Sequence, residues 1–399
     1  MDFSEFYSVD FRQFVQDHLD EDPALLLFKY QEKVSFDLKL AVQQISSRQK
    51  ARKKLPSWAE NPKLLFPTSL SLEQSSSEQT ARFKAGGWKG EIMIDLTGGF
   101  GVDFFYLSEG FNQGIYCERQ TELFQITKHN LKQLESQKNF KGKFEFVEGD
   151  GLEFLQKTPL HVDLIYLDPA RRGSGNQKLY KLQDCQPDVV GSWSLLKSKG
   201  DQILIKSSPM LDISQAWEEL PEIQQIIILS VKNEVKELLL SWKKENTSKQ
   251  IQVVDLGGGF PSFSFDPKEE GNAVSQLSEA ENYLIEPLSG ILKAGAFTLF
   301  AARFGLKKLE KNSHVYTCSA LPKNSIPARI FEIIEEIPPN KKVIKALFPA
   351  GKVNVICRNY SQGAHELKKK LGLKDGGEEF LIGTKSPSGF KLFRCRRIS

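Results

Sequence analysis

The hydrophobic period of this chain changes along its length. Up to about residue 80, apolar positions recur at helical spacing, as in "LLLFKYQEKVSFDLKLAVQQISSRQKARKKL", and no strand-type alternation intervenes. Pro56, Pro62 and Pro67 then break the pattern, so a helical domain is predicted over residues 1–80. Its basic run "RQKARKK" reads as a solvated helix face. From residue 81, short apolar runs alternate with helical stretches. "EIMIDL", "FNQGIYC", "KFEFVEG", "VDLIYLD" and "DQILIKS" predict strands, with helices over "RQTELFQITKHNLKQLESQ" and "GLEFLQKT". Such alternation implies parallel strands joined by right-handed crossovers. "IQQIIILSV", "VKELLLSW" and "IQVVDLGG" predict an antiparallel edge to that sheet, and the Pro and Gly of "LGGGFPSFSFDPKEEGNA" close a domain spanning 81–275.

Two smaller α/β units are predicted next. Residues 279–322 offer strand, helix and strand in too few residues for a large core of their own. Residues 323–399 contain the strand-like "KVNVICRNY", the helical "GAHELKKKLGL", and the strands "EEFLIGT" and "GFKLFRCRRIS".

Composition narrows the picture. No stretch of about 20 apolar residues is present to cross a bilayer. The opening residues have no basic region followed by an apolar one, which predicts no signal peptide. The five cysteines are scattered without a CxxC, and the five histidines show no ligand spacing. A cytoplasmic protein with reduced thiols and no metal is therefore expected. The net charge is only +4, but residues 323–399 hold sixteen Lys or Arg against seven Asp or Glu, a surplus of nine. That field suits a polyanion, although an ordinary solvated surface has the same composition.

A parallel sheet binds ligands at the C-terminal ends of its strands. After the first strand come Asp95, Gly98, Gly99, Gly101 and Asp103, in "DLTGGFGVD". A dinucleotide fingerprint would need a third glycine where Phe104 stands. Two acids around the glycines also disfavour a pyrophosphate and suit a ligand with a cationic amine. Asp95 can orient such an amine, while the N–H groups of the loop and helix receive a carboxylate. Glu118 ends the second strand, placed for ribose hydroxyls. Asp150 follows the third, either as an acceptor for an adenine amine or as a helix N-cap. The fourth strand ends at Asp168, in "LIYLDPARRG". This set predicts S-adenosylmethionine as cofactor. "VVDLGGGFPSF" carries Asp255 and three glycines, but no strand and helix series follows it, so it reads as a turn.

With these motifs, residues 81–260 resemble the class I S-adenosylmethionine-dependent methyltransferases: "DLTGGFGVD" as first motif, "YCERQ" as second, "YLDPARR" as fourth. The resemblance adds Thr97 and Arg119 to the expected cofactor contacts. The whole chain is similar to a family found mainly in the Bacteroidetes, in which this domain precedes a ferredoxin-like unit and a THUMP-like domain. "IEPLSGILKAGAF" resembles the start of the former; "LFPAGKVNVICRNY" and "ELKKKLGLKDGGEEFLIGT" resemble the latter. The implied fold is α/β: a Rossmann-like sheet with an N-terminal helical domain and two small C-terminal α/β units. The implied activity is methyl transfer to a nucleotide in structured RNA.

Base-methylating enzymes resemble one another in an [Asp/Asn]-Pro-Pro-aromatic element. Here Asp168 and Pro169, the expected catalytic turn, are followed by Ala170 and Arg171, so the stacking ring is missing from that place. Arg171, Arg172, Tyr180 and Lys206 are expected on the acceptor side, and Arg394, Arg396 and Arg397 on a basic RNA-binding surface. Methyl transfer is a direct displacement that depends on alignment and needs no metal. Two alternatives stay open: a methyltransferase for a small molecule or protein, and a noncatalytic RNA-binding protein that retains the fold. The oligomeric state is not legible in the sequence.

Overall fold

The short runs predicted as strands become β1 (Gly90–Asp95), β2 (Phe111–Glu118), β3 (Lys143–Glu148) and β4 (Val162–Leu167) in the computed structural model. The structure describes residues 5–137, 142–171 and 181–398. Two-residue strands β5 (Ala170–Arg171) and β6 (Cys185–Gln186) pair antiparallel, and β7 (Gly200–Ser207) follows. The chain divides into two units, Met1–Gln224 with Leu239–Asn246, and Gln225–Leu238 with Thr247–Ser399.

In the first unit, strands β3, β2, β1, β4 and β7 lie side by side in that order, all parallel. β4 buries five of its six residues and β1 its last three, as strands covered on both faces must near the ligand end of the sheet. The chain order reverses between β1 and β4. A crevice outside the carboxyl ends of two such strands is where open α/β sheets bind ligands. Helix Val102–Leu107 follows β1, and Thr121–Gln137 follows β2.

The helical segment before β1 belongs to the same unit. Its longest helix, Leu38–Lys54, starts at an Asp37 cap and contains the basic run. Arg48 of that run is buried, contrary to its expected place on a solvated face. Its guanidinium donates to the carbonyls of Ala59, Asn61 and Leu64 at 2.7 to 2.9 Å. Burial, with the neighbouring Arg52 charge, lowers its pKa to about 10. Asn130 bonds both the N–H and the carbonyl of Leu65, and Trp58 packs edge-on against Phe100 and Phe105. The segment is thereby fastened beside the glycine loop.

In the second unit, β8 (Gln225–Val231) and β10 (Gln250–Leu256) are parallel, where an antiparallel edge was expected. β9 (Glu234–Lys243) lies between them in sequence and divides between the units. The antiparallel partner of β10 is the short β11 (Phe263–Phe265). Sequence pattern specifies strands here but not their direction, because an apolar run reads alike in both.

The rest of the second unit is one seven-stranded sheet. β12 (Tyr283–Pro287), β13 (Lys307–Lys308), β14 (Tyr316–Cys318), β15 (Ala328–Glu336), β16 (Asn354–Arg358), β17 (Glu379–Ser386) and β18 (Gly389–Arg397) take the order 13-14-12-15-18-17-16. β12 pairs antiparallel with β15, Leu284 opposite Phe331, so the two small predicted units share a sheet. They also share a core, in which Leu284, Leu309 and Val315 meet Phe331, Ile382 and Phe393.

Candidate functional site

The first site element is the loop after β1. Asp95 is almost fully buried, and its Oδ1 accepts from the Thr97 N–H at 2.9 Å and the Thr97 hydroxyl at 3.3 Å. A Cβ on Gly98 would lie 2.1 Å from the ring of Tyr116, so that position has no room for a side chain. Gly101 is left-handed, with φ +74°, and starts the helix that contains Asp103. Between them, Gly99 donates its N–H to Glu118 at 2.9 Å and accepts from the hydroxyls of Tyr116 and Thr127. The loop is thus clamped to β2 and its following helix.

Glu118 is buried at the end of β2, its second oxygen accepting from Gln120 N–H at 2.7 Å. Two backbone donors fix its carboxylate at the crevice. The neighbouring Arg119 is exposed. Asp150 caps helix Gly151–Lys157, its Oδ1 receiving the N–H groups of Leu152 and Glu153. This is the capping reading of Asp150.

The fourth acid joins the first. Thr97, expected to touch a cofactor, receives the Asp168 N–H on its hydroxyl oxygen at 2.6 Å while donating to Asp95. One side chain therefore couples the ends of β1 and β4 across the reversal in strand order. Pro169 is buried beside it.

Asp103 is placed otherwise than a free acid for a ligand amine. Its carboxylate lies 3.0 Å from Lys84 Nζ and 3.6 Å from Lys206 Nζ, and accepts from Ser76 Oγ at 2.6 Å and Tyr166 OH at 2.7 Å. Burial alone would raise its pKa, but the two lysines and two hydroxyls outweigh that and hold it at about 2. Lys84 and Ser76 come from the helical segment before β1, and sequence reading missed both. Lys84 shares the buried face of its helix with Glu78, Thr80 and Ala81, so no apolar stripe marked it in the sequence. Lys206, expected on the acceptor side, lies 2.5 Å from Asp168 and bonds Ser76 Oγ at 3.1 Å.

Asp95 shows the opposite electrostatic outcome. Burial pushes its pKa well above the usual carboxylate value, the Thr97 hydrogen bonds pull against this, and Asp103 and Asp168 add to the rise. Cys117 is buried in β2 and its thiol is pushed far up, chiefly by burial, so it is not a thiolate nucleophile.

Arg172 and Tyr180 lie outside the described residues, as does the side chain of Arg171. Arg394 bonds Glu379 and Glu335 at 2.8 to 3.0 Å, and Arg396 bonds Glu332 at 2.6 Å. Cross-strand acids on β15 and β17 thus answer Arg394 and Arg396. Arg397 is exposed. Asp255 accepts from Asn233 N–H at 2.6 Å, a contact that ties down the turn after β8. Among the described residues, no group of His, Cys, Asp and Glu is arranged to hold a metal, and no helix is long and apolar enough to cross a membrane.

A THUMP domain-like family model matches residues 328–397, and a ferredoxin-like domain model matches residues 283–324. No curated protein matches the chain. The crystal structure of a candidate methyltransferase from Porphyromonas gingivalis W83 is 32% identical and covers 100% of both chains at a TM-score of 0.88. M. capricolum TrmK, solved with S-adenosyl-homocysteine, is 14% identical over 43% of this chain and 70% of its own, with a TM-score of 0.32. PH1948 from Pyrococcus horikoshii, described as a candidate RNA methyltransferase, is 13% identical over 48% of this chain and 98% of its own, with a TM-score of 0.33.

Proposed function

Because the chain belongs to the family of the Porphyromonas gingivalis protein, a methyltransferase-fold core carrying ferredoxin-like and THUMP-like domains, we propose that it methylates structured RNA from S-adenosylmethionine. The observation that carries this reading is the Asp95–Thr97–Asp168 link across the switch point. It joins the end of the donor strand to the Asp-Pro turn of the acceptor strand.

The donor set fits the cofactor. Glu118, already oriented by two backbone N–H groups, has the geometry to accept from ribose hydroxyls. The clamped loop 98–101 offers the start of a helix to the methionine carboxylate. Asp150 would meet the adenine amine through the oxygen that does not cap its helix. Asp95, with Thr97 and Arg119, completes the donor side. When bound, the cofactor supplies an electrophilic methyl on a sulfonium. The protein's part is to align the acceptor and exclude water.

On the acceptor side, Asp168 and Pro169 form the turn that receives the nucleotide, and Lys206 holds the Asp168 carboxylate in place. Arg171, Arg172 and Tyr180 are proposed to line the acceptor wall. The basic surplus of residues 323–399 supports RNA as the substrate, with Arg397 and exposed lysines meeting phosphates.

Calorimetry with donor, product and NAD tests the cofactor. Glu118→Ala is expected to weaken donor binding by about 10-fold to 100-fold, the scale of one or two charge-assisted hydrogen bonds. Affinity for NAD alone would reject the methyl-donor reading. Incubating the protein and labelled donor with total RNA, protein extract or metabolites from a strain lacking the gene then identifies the acceptor class. Label entering only protein or a metabolite would replace RNA as the substrate.

A further inference from the structure

Two ion pairs stand behind the acceptor turn. Lys84 lies 3.0 Å from Asp103, and Lys206 lies 2.5 Å from Asp168, so each lysine has a carboxylate of its own. Side-chain exposure rises along this series, from 0% at Lys84 through 9% at Asp103 and 11% at Lys206 to 35% at Asp168. The cluster therefore opens at Asp168, just past the carboxyl end of β4, and the other three groups back it from inside.

Ser76 joins the two pairs. It precedes helix Glu78–Ala85, in the segment before β1, and is buried. A serine hydroxyl has one hydrogen to donate and two lone pairs with which to accept. Here it donates to Asp103 Oδ2 at 2.6 Å and accepts from Lys84 Nζ and Lys206 Nζ, each at 3.1 Å. All three capacities are used, which leaves the hydroxyl a single orientation. Because serine is neutral, it adds nothing to the balance of charge between the lysines and the carboxylates. What it supplies is direction: a fixed acceptor for the Lys206 ammonium, which ends a flexible four-carbon stem.

Asp168 is held at two places. Its backbone N–H donates to the Thr97 hydroxyl at 2.6 Å, and its Oδ2 takes the Lys206 ammonium. We propose that Ser76 is a positioning residue for methyl transfer: it fixes Lys206, and Lys206 fixes the Asp168 carboxylate against the acceptor. The helical segment before β1 thereby serves the reaction and not only the packing. This rests on the methyl-transfer reading above, in which Asp168 meets the acceptor. Direct displacement depends on the alignment of the reacting atoms, and a misplacement on the order of 1 Å can cost about 100-fold in rate. A hydroxyl that stiffens the acceptor turn therefore shows in the rate of transfer rather than in donor affinity.

The test is a rate cycle on the full chain, with labelled donor and total RNA from a strain lacking the gene. Initial rates are followed over a range of RNA concentrations at saturating donor, and donor affinity is measured by calorimetry. Ser76→Ala is expected to lower the maximal rate by about fivefold to 20-fold, with the half-saturating RNA concentration and the donor affinity each within about threefold of wild type. Ser76→Thr keeps the hydroxyl and should recover about half of the lost rate or more. Because Ser76 acts through Lys206, adding Ser76→Ala to Lys206→Met should cost less than about twofold further.

A Ser76→Ala protein that is folded by circular dichroism and transfers at the wild-type rate overturns the proposal. So does a loss of the same size with and without Lys206, or weaker binding at an unchanged maximal rate, since Ser76 would then serve the fold or binding alone. If Ser76→Ala does not fold, Ser76→Cys takes its place in the same cycle, its thiol being a weaker donor and acceptor. Wild type that transfers no methyl group to RNA refutes the substrate reading, and the positioning role falls with it. Wild-type transfer that is indifferent to Ser76 refutes the positioning role alone.

Discussion

The ammonium of Lys206 lies 2.5 Å from one oxygen of Asp168, and the same group reaches Asp103 at 3.6 Å. A lysine at the end of β7 therefore restrains the acid of the acceptor turn. Removing it should affect transfer more than donor binding. Lys206→Met is expected to lower methyl transfer to RNA by about tenfold or more, the scale of a charged hydrogen bond worth roughly 1.5 to 3 kcal/mol. Donor affinity should stay within about threefold, and Lys206→Arg should recover part of the rate. Lost donor affinity with normal transfer at saturating donor would assign Lys206 to the other side of the site.

Lys84 and Asp103 form the more deeply buried pair, with side chains 0% and 9% exposed. Breaking it by Lys84→Met leaves a buried carboxylate with one fewer cation, which costs about 3 to 5 kcal/mol in comparable pairs. Asp103→Asn in the same chain should return part of that loss, and urea unfolding of the two singles and the double measures the coupling. Additive losses would show that the pair contributes nothing beyond its separate residues.

The sign of the acid response follows from the lowered pKa of Asp103. Its contribution to stability is present above the unfolded value near 4 and disappears as pH falls toward about 2. Asp103→Asn should therefore flatten the stability profile between those limits. Acid unfolding followed by circular dichroism checks this, and an unchanged acid limb would contradict it.

The pairs made by Arg394 and Arg396 redirect the charge experiment. Neutralising Arg394, Arg396 and Arg397 together should change the salt slope of RNA binding by less than about three phosphate contacts would, because Glu379 and Glu335 already meet Arg394 and Glu332 meets Arg396. Lys341, Lys342, Lys345, Lys369 and Lys370 are exposed on helices Lys341–Leu347 and Ala364–Leu371. Replacing these five by Gln should reduce the slope further. RNA affinity measured at several salt concentrations decides, and a larger effect from the arginine triple would restore the β18 surface as the principal contact.

Much of this protein is determined by local pattern. Apolar runs specified β4 and the inner parts of β1, β2 and β7 because parallel strands covered on both faces must be apolar, whereas β3, at the edge of its sheet, alternates charged and apolar residues. Gly101 was legible because a left-handed turn admits few other residues. Acids after each run marked the crevice, since strand ends are where an open sheet meets its ligand. Tertiary structure alone decided how those acids are used. Asp103 and Asp95 look equivalent around the same glycines, yet one is held at about 2 by lysines and the other is driven upward by burial. The difference comes from Lys84, which stands 19 residues before Asp103 in the chain, and from Lys206, which stands 103 after it. Sequence spacing carries no record of such contacts, because charge compensation depends on distance in space and on the water excluded between the groups.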